Sequence, residues 1–102
     1  MKIKLEFQYF EGCPNHKKMN DNLIEAIKGL EDKIELKKVL VEDESTARKV
    51  GFRGSPTLLI DGEDVEGVPI PEEPTLACRF YVNGIPDANK IREAIIKKIN
   101  KE

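Results

Sequence analysis

The chain is short of cysteine, of net charge and of long apolar runs. Its 102 residues carry two cysteines, Cys13 and Cys78, too few for a disulfide scaffold. Such a pair points to thiols that are reactive, metal-binding or simply buried. A formal net charge of −2 lacks the basic excess of a general nucleic-acid binder. No apolar run reaches the length of a membrane-spanning helix, so no membrane partner is expected. At the N-terminus lysines alternate with apolar residues, and no continuous apolar segment of a signal peptide forms. The expected location is therefore the cytoplasm, where thiols are kept reduced. There is no internal repeat and no second domain: residues 1–102 fit one domain. No cofactor is expected.

What is present is 39 % apolar and 35 % charged residues, enough for a modest core under a charged surface. Ile3, Leu5, Phe7 and Tyr9 alternate with Lys4, Glu6 and Gln8, the pattern of a strand. A helix follows from Pro14 with Met19, Leu23, Ile24 and Ile27 as its apolar stripe. Gly29 suits its C-terminal cap, with Leu30 folding back onto Ile24. A second strand spans Ile34 to Val41. Asp43 caps a short helix, Glu44 to Val50, that Gly51 stops and Phe52 latches. Strand three is Thr57 to Ile60. An aperiodic stretch, residues 61–77, then holds three prolines, six acidic residues and no basic one. It reads as a solvated lid, or in a functional version as a segment that selects basic partners or gates Cys13. Strand four is expected at Arg79 to Val82. The last helix starts at the N-cap Asp87, with Ile91, Ile95 and Ile99 inward. The order is βαβαββα, with parallel first strands and an antiparallel last pair.

Cys13 stands at the junction of the first strand and the first helix. There it faces the unpaired N–H groups of the first helical turn, which favour thiolate over thiol. Pro14 fits the first helical position, where its missing N–H costs nothing. Lys17 and Lys18 add positive charge. His16 lies about one turn on, placed to stabilise the thiolate as imidazolium or to shuttle its proton when neutral. Its other reading is a solvated surface histidine. Gly54-Ser55-Pro56-Thr57 opens strand three, where proline is tolerated only at the first position. Cys78 has two readings. It shares a strand face with Phe80 and Val82, which makes it a core thiol; otherwise it is a resolving thiol or ligand. In a simple hairpin it would lie about 13 Å from Pro56, whereas a disulfide needs Cα atoms within about 7 Å.

This order, with a cysteine after strand one and a proline opening strand three, resembles the thioredoxin-like fold over the whole chain. Gly12-Cys13-Pro14-Asn15-His16 stands where that superfamily has Cys-x-x-Cys, and Gly84 matches the glycine after its last strand. More closely, the chain is similar to small bacterial thioredoxin-like proteins. Those pair Gly-Cys-Pro with Gly-Phe-Arg-Gly-Ser-Pro-Thr and a later Cys-Arg-x-Tyr, here Gly51 to Thr57 and Cys78 to Tyr81. The resemblance implies an α/β domain, a four-stranded mixed sheet with helices on both faces. It also implies a cis Ser55–Pro56 bond that turns the Ser55 backbone toward Cys13. Pro14, Ser55, Pro56 and Thr57 would then form a groove for an extended peptide. The departure is His16, which replaces the usual resolving thiol.

The function expected is thiol–disulfide exchange or redox relay, with protein or small-molecule disulfides and thiols as partners. Cys13 would attack a disulfide, and Cys78 or an external thiol would release the product. The alternative is a carrier of Zn, Cu or Hg using Cys13, His16 and Cys78, since thiolate and imidazole suit soft metals. A third reading is a non-catalytic adaptor that keeps the fold. Incomplete cover of the polar face of strand one leaves a dimer open.

Overall fold

Residues 2–101 are described in the computed structural model. Alternation sets the first element, β1 (Ile3–Tyr9). Ile3, Leu5 and Phe7 are buried on one face, while Lys4 projects to solvent. After α1 (Asn15–Ala26) and a 3-10 turn at Glu31–Lys33, β2 (Ile34–Leu40) returns parallel to β1. Then come α2 (Glu44–Val50) and β3 (Thr57–Ile60), which runs antiparallel to β1 on its other side. β4 (Glu63–Asp64) pairs antiparallel with β3, and α3 (Ala88–Lys101) ends the described chain. The sheet order is β2-β1-β3-β4 and the chain order βαβαββα, a thioredoxin-like architecture.

The two sheet faces carry separate cores. On one, Ile3, Leu5, Phe7, Leu58 and Ile60 meet Met19 and Leu23 of α1 and Ile91 and Ile95 of α3. Each such side chain contributes about 1.5–3 kcal/mol by leaving water. On the other, Val41, Ala47 and Phe52 form a smaller cluster, joined by Phe10, Val39, Val50 and Leu76. Gln8 points to this second face and is fully buried; its amide donates to the Val50 carbonyl at 3.0 Å. α2 thus covers part of the polar face of β1.

The short helix forms as its sequence predicts. Asp43 Oδ1 accepts from the Thr46 N–H at 2.7 Å, and Gly51 takes φ 65°. The Phe52 N–H then reaches the Ala47 carbonyl at 2.9 Å, closing the last turn. Asp87 caps α3 in the same way, accepting from the Lys90 N–H at 2.8 Å.

Three expectations need correction. α1 ends at Ala26, and its buried stripe is Met19, Leu23 and Ala26. That spacing makes one face at helical period, whereas Ile24 is turned a quarter-turn away and is 46 % exposed. Leu30 joins the main core instead. Strand four is not Arg79 to Val82 but Glu63–Asp64, inside the stretch read as aperiodic. Asp61 (φ 51°) and Gly62 (φ 84°) make a two-residue turn that folds the chain straight back, so residues 63–64 claim the free edge of β3. The face of 78–82 is also inverted: Arg79 and Tyr81 are buried, while Cys78, Phe80 and Val82 are exposed. Among the described residues no helix is long and apolar enough to cross a membrane.

Candidate functional site

The site forms where β1 ends and β3 begins. The Cys13 N–H bonds to the Phe10 carbonyl at 3.1 Å, a turn that brings the cysteine back over the sheet end. Helical conformation starts beyond it: Pro14 (φ −69°, ψ −13°) is the cap residue and Asn15 the first helical residue, with no side-chain cap. Cys13 therefore sits one residue further out than the sequence predicts, still ahead of the open N–H groups of α1. Its side chain is fully buried, with Sγ 3.6 Å from the Ser55 carbonyl oxygen.

The Ser55–Pro56 peptide is cis. Ser55 is buried and its Oγ accepts from the Phe10 N–H at 2.9 Å, which ties this loop to the end of β1. Thr57 is buried too, its hydroxyl donating to the Gly54 carbonyl at 2.6 Å. Ser55 thus stands beside Cys13, with Pro56 and Thr57 following it in the same loop. Pro14 is exposed at the start of α1.

Cys78 is bonded to Cys13 in a disulfide, with the two Cα atoms 5.6 Å apart. This overturns the hairpin estimate that put Cys78 out of reach. The cause is the early turn at Asp61-Gly62. With β3 already paired by β4, the chain after residue 64 is free to loop around and cross at Ser55, upstream of β3. There it makes a one-residue parallel bridge. The Ser55 N–H donates to the Ala77 carbonyl at 2.8 Å, and the Arg79 N–H donates to the Ser55 carbonyl at 2.9 Å. The backbone groups expected to receive a peptide are already used by the chain itself.

Two buried side chains pin this segment. Arg79 forms a bidentate ion pair with Asp64, its Nη2 2.7 Å from Oδ2, and its guanidinium lies 4.3 Å over the Tyr81 ring. Burial raises the Asp64 carboxyl, but the Arg79 hydrogen bond and charge, with the Val68 and Glu66 N–H groups, outweigh it and hold its pKa below the usual range. Burial likewise disfavours charged Arg79, and the Asp64 hydrogen bond together with the charges of Tyr81, Asp64 and Glu66 more than offsets this. The Tyr81 hydroxyl donates to the Pro56 carbonyl at 2.6 Å. Burial first, then the charges of Asp64 and Glu66, raise its pKa against the opposing pull of Arg79. Gly54 completes the fit at φ 98°: a Cβ there would stand 2.9 Å from Arg79 Cβ.

His16 is placed elsewhere. Its ring lies against Tyr9, centroids 5.0 Å apart, in a cleft shared with Lys17, Asn20 and Lys38. Among the described residues no hydrogen bond joins it to Cys13. None of their His, Cys, Asp or Glu side chains gathers in a group of three or more that could hold a metal ion.

Asp64, Arg79 and Tyr81 are site residues that sequence reasoning missed. The signal for Asp64 was Asp-Gly directly after an apolar strand, the mark of a tight hairpin. For Arg79 and Tyr81 it was the Cys-Arg-x-Tyr run itself, taken with the opposite face inward.

No family model and no curated protein matches the chain. Among solved structures it is similar to one described as "Structure of a malarial protein". The two share 20 % identity at a TM-score of 0.61, over 96 % of this chain and 97 % of the other. At that identity the likeness is one of fold: a second chain of nearly the same extent carries the same architecture.

Proposed function

We propose that this protein performs thiol–disulfide exchange, cycling Cys13 and Cys78 between disulfide and dithiol. The single observation that carries this reading is the disulfide itself, set against the cis Ser55–Pro56 loop and just ahead of α1. Reduction takes two electrons and two protons from an external dithiol; oxidation returns them to a protein or small-molecule disulfide. The open N–H groups of the first turn of α1 favour Cys13 as thiolate. In the cytoplasm, the proposed location, a disulfide of this kind is transient and catalytic or redox-sensing. The motifs around Cys13, Ser55 and Cys78 support grouping the chain with the small bacterial thioredoxin-like proteins it resembles. The soft-metal reading draws no support from geometry, because both sulfurs are bonded to each other and the His16 ring lies tilted against Tyr9.

The test is turnover of a disulfide-bonded protein substrate by catalytic amounts of this chain, with a small dithiol as reductant. Wild type should accelerate reduction, and Cys13→Ser should abolish the gain. A rate equal to the uncatalysed reaction, or one unchanged by Cys13→Ser, would refute the proposal.

A further inference from the structure

The two sulfurs of the disulfide are unequal in access. Cys13 is fully buried, at the point where its partner's segment bridges to Ser55. Cys78 is exposed. It also lines a shallow cleft of about 180 Å³, whose walls include Phe52, Arg53, Gly54, Pro71 and Thr75. That volume is below the roughly 300 Å³ at which small-molecule pockets begin. It suits one cysteinyl side chain rather than an enclosed ligand.

They are also unequal as leaving groups. Exchange is faster when the expelled thiol is more acidic. Cys13 leaves into the open end of α1, where unpaired N–H groups stabilise a thiolate. Cys78 has no helix behind it. Access and departure therefore favour the same path.

We infer that an external thiol attacks Cys78, not Cys13, and that Cys13 is the sulfur expelled. This rests on the exchange reading above and assigns the roles within it. An incoming thiolate RS⁻ forms a new S–S bond to Cys78 as the Cys13–Cys78 bond breaks. The electron pair of that bond leaves on Cys13 as its thiolate. A second thiol from the same reductant then displaces Cys78 from R, giving the dithiol protein and an oxidised reductant. By reversal, an external disulfide first loads Cys78, and the Cys13 thiolate closes the internal bond. This inverts the expectation that Cys13 meets the substrate. The helix-start cysteine becomes the resolving sulfur, and a residue far along the chain becomes the one that touches the partner.

The experiment uses oxidised wild-type chain, a limiting amount of glutathione, and quenching with iodoacetamide at short times. Trypsin separates the two cysteines into peptides 5–17 and 54–79. The expected result is glutathione on Cys78 and alkylation on Cys13, in roughly tenfold or greater excess over the reverse labelling. Glutathione mainly on Cys13, or shared equally, would overturn the assignment while leaving exchange intact. An internal disulfide that resists glutathione and small dithiols alike would overturn the proposed function together with it.

Discussion

Reduction of the Cys13–Cys78 bond is expected to lower the stability of the fold by about 4 kcal/mol. The magnitude follows from the span of the crosslink. The two cysteines are 65 residues apart, so the bond closes a large loop in the unfolded chain. Chain-entropy arithmetic for a loop of that length gives about 4 kcal/mol at 25 °C. A domain of this size has only about 5–15 kcal/mol in total. The loss should appear as a fall in Tm of roughly 15–30 °C. The segment itself should stay docked after reduction, because the Asp64–Arg79 ion pair, the Tyr81–Pro56 hydrogen bond and the Ser55 bridge need no disulfide. The assay is urea unfolding followed by circular dichroism, with and without a phosphine reductant, with thiols counted in each sample. A loss under about 1 kcal/mol between fully oxidised and fully reduced samples would refute the reasoning.

Three further outcomes test the rest of the site. Gly54→Ala should destabilise the protein and lower the fraction of internal disulfide at fixed glutathione potential, since its Cβ collides with Arg79 at a φ of 98°; wild-type oxidation would contradict this. Arg79→Met should cost about 3–5 kcal/mol in urea unfolding by leaving Asp64 buried alone, and the double variant Asp64→Leu/Arg79→Met should recover most of it. In acid, Asp64, whose folded pKa lies below its unfolded value, contributes stability above about pH 4 that is lost as pH falls through the folded pKa; Asp64→Leu/Arg79→Met should flatten that part of a stability profile measured from pH 6 to 2.

The sequence is most legible where one residue's chemistry dictates the backbone. Asp43 and Gly51 frame α2, Asp87 opens α3, and the alternation of Ile3, Leu5 and Phe7 makes β1 an unambiguous strand. Local signals of this kind need no knowledge of the rest of the chain. The site was legible by half. Cys13 is legible from its strand-to-helix junction and Ser55-Pro56 as its neighbour from the resemblance alone; the β1–β3 pair is what brings that strand end and strand start together. Cys78 was not placed, because its position depends on which residues claim the edge of β3. That choice was made at Asp61-Gly62, seventeen residues earlier. The alternation in Cys78 to Val82 does not by itself say which face turns inward: the apolar Phe80 and Val82 face out, while Arg79 and Tyr81 face in. A buried arginine looks like an error until its carboxylate partner is known, and Asp64 lies in a stretch whose composition reads as solvated and acidic.

The crosslink also divides the chain as a mechanical object. β1 and α3 lie wholly outside the loop between Cys13 and Cys78, while β2, α2, β3 and β4 lie inside it. If the molecule is gripped at β1 and α3 and stretched, the oxidised chain pays out only its two flanks. The 64 residues enclosed between the cysteines carry no load, and tension crosses the sulfur bridge over a Cα gap of 5.6 Å. Reduction under force releases that stored contour, about 220 Å at roughly 3.4 Å per residue. The same two atoms that exchange electrons therefore set how far the domain can be drawn out.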